Sequence, residues 1–103
     1  MADAFYTQFP IAMRLVAYAT VRPSRILDPA CGDGALLDAA STKWPDAQLL
    51  ANDVSRLALA AAKRRLPSAR SSRCNIEIIA RSAPRLVERR AVWRPDLVLL
   101  NPP

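Results

Sequence analysis

Both glycines of the 103-residue chain, Gly32 and Gly34, lie two positions apart in the turn after an apolar run. Glycine at such a turn lets the backbone approach a ligand closely, and the helix that follows presents unpaired N–H groups and the positive end of its dipole. A dinucleotide fingerprint would need a third glycine where this chain has Leu37, and no Gly-Lys-Ser/Thr sequence is present. The spacing predicts a ligand loop that fits NAD or FAD poorly and is not a Walker loop.

One acidic residue strengthens this prediction. Asp53 follows Gly34 by nineteen positions and comes directly after a second apolar segment. An acidic side chain about 20 residues after a glycine loop holds ribose hydroxyls in doubly wound sheets. A glycine turn that serves packing alone is the competing interpretation, and the position of Asp53 favours a ligand that carries a nucleoside.

The last three residues, Asn101-Pro102-Pro103, follow the final apolar run. Ligands of parallel sheets bind at the carboxyl ends of the strands. An Asn amide oxygen and a prolyl carbonyl can accept the two hydrogens of an exocyclic amine and so orient its nitrogen, while proline fixes the local geometry. Asn and Pro are also common turn residues, so the motif in isolation indicates a simple strand end more often than a site.

The elements that must position these residues alternate between strand and helix. The helical spacing of Phe9, Met13, Val16 and Thr20 predicts an N-terminal helix within residues 5–20. Short apolar runs closed by Pro, Asn or Asp predict strands, and Ala- and Leu-rich segments predict helices. The predicted strands are 25–29, 48–51, 76–80 and 96–100, the predicted helices are 35–40, 54–66 with Asp53 or Ser55 as N-cap, and 84–93, and residues 68–75 are predicted to form a loop. This order indicates an α/β fold, a Rossmann-like doubly wound parallel sheet of about four strands with helices on both faces.

Length and composition exclude several classes of protein. With 51% hydrophobic and 23% charged residues the chain is a globular domain, and its longest apolar run, 57–62, is far short of the roughly 20 residues of a membrane span. There is no His, and Cys31 lies 43 positions from Cys74, so neither a metal site nor a disulfide framework is expected. No basic stretch precedes an apolar run near the start, which predicts a cytoplasmic protein without a membrane partner.

The net charge of +6 is unevenly distributed. Residues 1–53 carry four basic and six acidic side chains, whereas residues 54–103 carry eleven basic and three acidic ones. Solvated helix faces explain scattered Arg residues most simply, because aromatic residues do not alternate with them. A nucleic-acid-binding accessory is the alternative, and it would bind without a cofactor and lose its affinity as salt rises.

Three segments carry a resemblance to a known family: Asp28-Pro29-Ala30-Cys31-Gly32-Asp33-Gly34, then Asn52-Asp53, then residues 96–103, which end in Asn-Pro-Pro. Their order and spacing resemble the class I S-adenosylmethionine-dependent methyltransferases, and within them the amino methyltransferases that modify adenine-N6 in DNA. Residues 5–13 resemble the segment that precedes the sheet in the DNA-adenine group and touches the methionine end of the cofactor. There, Gln8 stands where relatives usually have Pro.

The resemblance implies S-adenosylmethionine as the cofactor, DNA as the substrate and a flipped adenine as the target. It implies that Asp53 binds the cofactor's ribose and that Asn101 and Pro102, with Pro103 completing the motif, are the catalytic residues that hold the target amine. The residues implied around the rest of the cofactor are Tyr6, Thr7, Asp28, Pro29, Ala30, Cys31, Gly32, Gly34, Val54 and Ser82. Ser82 stands where the family usually has an acidic residue that contacts the cofactor's adenine.

Relatives continue beyond Asn-Pro-Pro with an aromatic residue that stacks on the target base, and then with further strands. We therefore expect residues 1–103 to form a single partial methyltransferase domain, with the N-terminal helix in 1–22 and the cofactor-binding half of the sheet in 23–103. A second polypeptide or self-association would supply the missing strands, because the family places the fourth strand centrally. The alternatives are a non-catalytic cofactor-binding or subunit-interaction module, and a methyltransferase of RNA adenine or protein glutamine. Helix 54–66 and the third strand are expected at the sheet edge away from the DNA cleft, so Arg64, Arg65 and Arg70 are poor candidates for base readout.

Overall fold

Strands and helices alternate along the parts of the chain that the computed structural model describes, residues 8–73 and 95–100. The elements are α1 (Phe9–Ala17), β1 (Arg25–Asp28), α2 (Ala35–Lys43), β2 (Gln48–Asn52), α3 (Arg56–Arg65), β3 (Arg70–Ser72) and β4 (Leu97–Val98). The N-terminal helix, the first two strands and the two following helices lie where the sequence predicts them.

All four strands are parallel and lie in the order β3-β2-β1-β4. The connections β1-α2-β2 and β2-α3-β3 step in the same direction across the sheet, so right-handed crossovers place α2 and α3 on the same face. Helix α1 packs against α2. The predicted Rossmann-like α/β sheet of about four parallel strands is confirmed, with β1 and β2 at its centre and their carboxyl ends at a common edge. Helices were expected on both faces, and the described crossover helices lie on one of them.

The core lies between the sheet and these helices. Ile26 of β1 and Leu37 of α2 are completely buried, and Val16 of α1 is nearly so. Small residues of α2, Ala39 and Ala40, are also completely buried, which lets backbones approach closely where larger side chains would not fit. The central strands contain runs of apolar residues rather than alternating apolar and polar ones, because these strands are buried.

Side chains cap the end of α1 and the start of α3. The Lys43 ammonium donates to the carbonyl oxygens of Val16, Ala17 and Ala19 at 2.6 to 3.2 Å, which caps the carboxyl end of α1 with a cation. Helix α1 therefore ends before Thr20, which was predicted to belong to it. Helix α3 begins at Ser55, whose hydroxyl accepts from the N–H of Ala58 at 3.2 Å.

The third strand differs from the prediction. Residues 68–75 were expected to form a loop, but residues 70–72 within them are β3, which pairs in register with residues 50–52 of β2. The residues of β3 are polar and largely exposed. A strand at the edge of the described sheet can be held by backbone hydrogen bonds to its one neighbour, so it does not need apolar side chains. The strand predicted at 76–80 and the helix predicted at 84–93 lie outside the described residues.

The fourth strand is shorter than predicted and lies beside β1. Its start is fixed by Asp96, whose carboxylate oxygens accept the N–H groups of Ser24 and Arg25, each at 2.9 Å. The register then pairs Leu27 with Val98, and Leu99 N donates to Leu27 O at 2.8 Å. None of the described helices has the length and apolar character that a membrane crossing would require.

Candidate cofactor site

The carboxyl end of β1 carries a buried acid. Asp28 is 1% exposed, and its Oδ1 accepts the N–H of Ala30 at 3.1 Å. Its Oδ2 is buried and has no hydrogen-bond partner among the described residues. Burial raises the pKa of Asp28 to about 7, the Ala30 N–H opposes this, and the charge of Asp53 adds to it. An unpartnered, buried carboxylate oxygen of this kind is costly unless a ligand supplies the missing donor.

The loop that follows Asp28 turns twice through glycine. Gly32 and Gly34 have φ angles of 55° and 91°, in the left-handed region that glycine adopts most readily. Gly34 N donates to Cys31 O at 2.9 Å, and a Cβ at Gly34 would lie 3.3 Å from the Cβ of Ala62 in α3. The glycine therefore permits both the turn and the close approach of α3.

A carboxylate ties this loop to the end of β2. Asp53 Oδ2 accepts the N–H of Gly32 at 2.9 Å, and its Oδ1 accepts the N–H of Ser55 at 2.9 Å. Each carboxylate oxygen has a further lone pair, so Asp53 can accept hydroxyl donors from a ligand while both backbone hydrogen bonds persist. Val54, next in the chain, is 57% exposed and lies at the same edge.

The buried side-chain amide of Asn52 links the loop after β1 to the neighbouring strands. Asn52 is completely buried; its Nδ2 donates to Pro29 O at 2.8 Å and its Oδ1 accepts the Ser72 hydroxyl at 2.7 Å. The backbone O of Asn52 accepts the N–H of Cys31 at 2.9 Å. One residue thus links the carboxyl ends of β1, β2 and β3. The sequence predicts Asn52 only as the neighbour of Asp53, although a polar residue at the end of an apolar strand indicates a structural role of this kind.

The thiol of Cys31, beside the glycines, is unreactive. Cys31 is buried, its Sγ donates to Gly32 O at 3.4 Å, and burial followed by the charge of Asp28 raises its pKa to about 12. A thiol with a raised pKa is neither a nucleophile nor a metal ligand near neutral pH. In the described ranges, moreover, no group of three or more His, Cys, Asp or Glu residues is arranged to hold a metal ion.

An arginine from α3 holds the far side of the loop. Arg65 pairs with Asp33 Oδ1 at 3.3 Å and with Asp38 Oδ2 at 3.2 Å, and its guanidinium lies 5.9 Å from the centre of the Phe9 ring. The loop, the first turn of α2 and the start of α1 therefore meet at one side chain. The sequence does not predict that Arg65 joins these three segments, because nothing in a run of three basic residues distinguishes Arg65 from Lys63 and Arg64.

The structure brings together eight of the predicted site residues at one edge of the sheet: Asp28, Pro29, Ala30, Cys31, Gly32, Gly34, Asp53 and Val54. Tyr6, Thr7, Ser82, Asn101, Pro102 and Pro103 lie outside the described residues. The chain does leave β4 beside Asp28, since Leu99 bonds to Leu27, and Asn101 follows two positions later in the sequence.

A parallel sheet with a glycine loop after β1 and an acid after β2 defines a Rossmann-like fold that binds a nucleoside-bearing ligand. Comparison with known proteins narrows this class. The methyltransferase small domain family matches residues 11–103, and the chain belongs to that family.

Individual relatives agree with this assignment. Over 59 residues the chain is 39% identical to the Type II methyltransferase M.XamI of Xanthomonas campestris pv. amaranthicola, covering 55% of this chain and 11% of that protein. TrmN from Thermus thermophilus superposes with a TM-score of 0.69 at 28% identity, covering 92% of this chain and 28% of TrmN. The plantazolicin methyltransferase BpumL, solved in complex with SAH, gives a TM-score of 0.53 at 28% identity, covering 64% and 27%. The chain thus spans less than a third of the length of each of these relatives.

S-adenosylmethionine is the cofactor of this methyltransferase family, and the residues present fit it. Its amino acid part carries an ammonium group, and the unpartnered Oδ2 of Asp28 is a buried acceptor that lacks a donor. Its ribose carries hydroxyl donors, and Asp53 retains acceptor capacity at both oxygens. The predicted resemblance to S-adenosylmethionine-dependent methyltransferases is confirmed at this level.

Proposed function

We propose that this chain is the cofactor-binding portion of a methyltransferase that acts on the exocyclic amine of adenine in DNA. The observation that carries the proposal is the buried Asp28 carboxylate, which has one oxygen without a hydrogen-bond partner among the described residues and directly precedes the glycine loop in the chain. A site of this kind stabilises a cationic ligand, because a charge-assisted hydrogen bond would relieve the cost of burying the carboxylate.

In this proposal Asp28 holds the ammonium of the cofactor and Asp53 holds its ribose hydroxyls. The loop from Pro29 to Gly34 and Val54 line the rest of the site, together with Tyr6, Thr7 and Ser82. The bound cofactor supplies a methyl group on a positively charged sulfur. The role of the protein is to fix the position of this group, so that a target nitrogen can attack in line while the carbon–sulfur bond breaks to leave a neutral thioether. The methylated amine then loses one proton to solvent.

Asn101, Pro102 and Pro103 are assigned to the target amine. The Asn101 amide oxygen and the Pro102 carbonyl would accept the two amine hydrogens and direct the nitrogen lone pair towards the methyl group. Support comes from the register of β4, which pairs Leu27 with Val98 and so carries the chain towards the edge that holds Asp28. The assignment of DNA adenine rests on the Asn-Pro-Pro resemblance and on the type II methyltransferase among the relatives.

We also propose that further strands pair with the outer edge of β4. Among the described residues β4 pairs with β1 alone, and its neighbourhood exposes Val98 and Leu100, each about half. An apolar strand with one unpaired edge favours association. The occupant in this proposal is the remainder of the methyltransferase domain, supplied by another segment or chain.

Calorimetric titration with S-adenosylmethionine and S-adenosylhomocysteine tests the cofactor half of the proposal. Asp28→Asn should lower the affinity for both by at least tenfold, because a neutral amide cannot pair with the ammonium as strongly. Asp46→Asn is the matched control, since Asp46 is exposed and lies at the opposite end of the sheet, after α2. Equal affinities in all three proteins would overturn the assignment of Asp28.

Transfer of a radiolabelled methyl group, assayed with the remainder of the methyltransferase domain present, tests the substrate half. We expect label in duplexes that contain adenine and none in duplexes that contain only N6-methyladenine in its place, and Asn101→Ala should abolish the transfer. Label in RNA or protein instead of DNA would contradict the proposed substrate. A chain that binds the cofactor but transfers nothing would support the non-catalytic module.

A further inference from the structure

A strongly basic surface runs along the edge of the described sheet formed by α3 and β3. Residues 54–73 contain six basic and no acidic residues. Arg65 is occupied by its ion pairs with Asp33 and Asp38. The other five are exposed, and none forms an ion pair with a described acidic residue: Arg56, Lys63, Arg64, Arg70 and Arg73. We call these five residues the basic edge.

Helix stability does not explain the whole pattern. Lys63 and Arg64 lie in the last turn of α3, where cations interact favourably with the helix dipole. Arg56 is the first residue of α3, where a cation is unfavourable, and the first turn contains no acidic residue. A solvated helix face usually alternates charges four residues apart, and α3 does not.

The basic edge reaches the rim of the cofactor site. Arg73 Nε donates to Val54 O at 2.9 Å, which places Arg73 against the loop that carries Asp53. Arg56 follows Val54 by two residues. From Arg56 to Arg64 the helix rises about 12 Å at ~1.5 Å per residue, a length along which one DNA strand presents roughly three phosphates.

We propose that the basic edge binds the phosphate backbone of duplex DNA, independently of base sequence, on the β3 side of the domain and outside the cleft where bases would be read. Four of its five residues are Arg, whose planar guanidinium matches phosphate with paired hydrogen bonds. Contacts of this kind position a duplex and do not read bases. The DNA partner rests on the proposed function, whereas the surface itself rests on the charges of α3 and β3.

The test measures binding of the chain to a fluorescein-labelled, 20-base-pair duplex of G·C pairs only, without cofactor, between 50 and 300 mM salt. Each phosphate contact contributes about 0.9 to the slope of log K against log salt. The double variant Arg56→Gln/Arg64→Gln should reduce this slope by about two. The matched control, Arg14→Gln/Arg22→Gln, also removes two exposed positive charges, from α1 and the segment after it, and should leave the slope unchanged.

Equal losses in the two double variants would overturn the proposal, because general charge attraction would then explain binding. Tighter binding of an RNA duplex of the same length would overturn the assignment to DNA. Thermal melting of both variants shows whether they fold, and Arg70→Gln repeats the test outside α3. Since the duplex lacks adenine and no cofactor is present, the result is independent of whether the chain transfers methyl groups.

Discussion

The backbone N–H of Gly32 donates to Asp53 Oδ2 across 2.9 Å, which joins the loop after β1 to the loop after β2. The two residues lie 21 positions apart in the chain. A residue that we assign to the cofactor's ribose therefore also fixes the shape of the glycine loop. We therefore expect cofactor affinity and the stability of the loop to be coupled through this one carboxylate.

Replacing Asp53 by Ala should weaken cofactor binding and destabilise the fold together. The change removes the acceptors for Gly32 N and Ser55 N, which in a half-exposed site contribute on the order of 1 to 2 kcal/mol. We expect cofactor affinity to fall at least tenfold by calorimetry. Asp53→Asn keeps one acceptor oxygen. It should lose less unfolding free energy than Asp53→Ala, while its cofactor affinity should still fall. A variant that loses stability but binds as tightly as the wild type would show that Asp53 acts only on the loop.

The acid at the end of β1 predicts a pH dependence of stability. The pKa of Asp28 rises from 3.8 to about 7, mainly through burial, so the folded state holds its proton more tightly than the unfolded chain. The stability from this protonation is fully present below about pH 3.8 and is lost as pH rises through about 7, a loss on the order of 4 kcal/mol at most.

Asp28→Asn carries no charge at any pH and should escape this loss. Urea unfolding should therefore show the variant more stable than the wild type at pH 8, with a difference that shrinks towards pH 5. At pH 8, by contrast, the variant should bind the cofactor more weakly than the wild type, because the carboxylate is needed to pair with the ammonium. A stability difference that does not vary with pH would contradict the buried titration of Asp28.

The second glycine predicts a purely steric effect. Gly34 has a φ of 91°, and a Cβ there would lie 3.3 Å from Ala62 Cβ. Gly34→Ala should therefore cost about 1 to 3 kcal/mol of unfolding free energy, from the backbone conformation and the close contact together. Ala62→Gly combined with it should recover the part that comes from contact. If the two changes were simply additive in urea unfolding, the approach of α3 would not matter.

The sequence predicts the parts of this fold that depend on hydrophobic periodicity and on Gly and Pro residues that end helices and strands. Ile26 and Leu37 lie in patterns that indicate burial, and both are completely buried. Strand β3 could not be predicted, because Arg70 and its two serines carry no apolar signal and the strand is set by backbone pairing with β2. The role of Arg65 depends on which of three adjacent cations faces Asp33, and that follows from the packing of α3 on the loop.

The Arg65 contacts predict a modest contribution to stability with a dependence on salt. Its ion pairs with Asp33 and Asp38 are about one third exposed, so each contributes less than about 1 kcal/mol. Arg65→Ala should lower the unfolding free energy by about 1 kcal/mol at low salt and by less at high salt. Arg64→Ala is the matched control, since Arg64 is exposed and forms no ion pair with a described residue. Equal effects of the two changes would contradict the role of Arg65 in joining α3 to the loop.

Asp96 predicts a pH dependence opposite in sign to that of Asp28. Its carboxylate accepts the N–H groups of Ser24 and Arg25, and these hydrogen bonds, Ser24 first, lower its pKa. A group with a lowered pKa contributes stability above its unfolded value of 3.8, and this is lost as pH falls through the folded pKa. Asp96→Ala should therefore melt at a lower temperature than the wild type at pH 7, and the gap should narrow as pH falls from 4 to 2. Asp46→Ala, which removes an exposed acid without these contacts, is the matched control. A gap of constant size would mean that Asp96 joins β4 to β1 through its backbone alone, where its own N–H donates to Arg25 O at 3.0 Å.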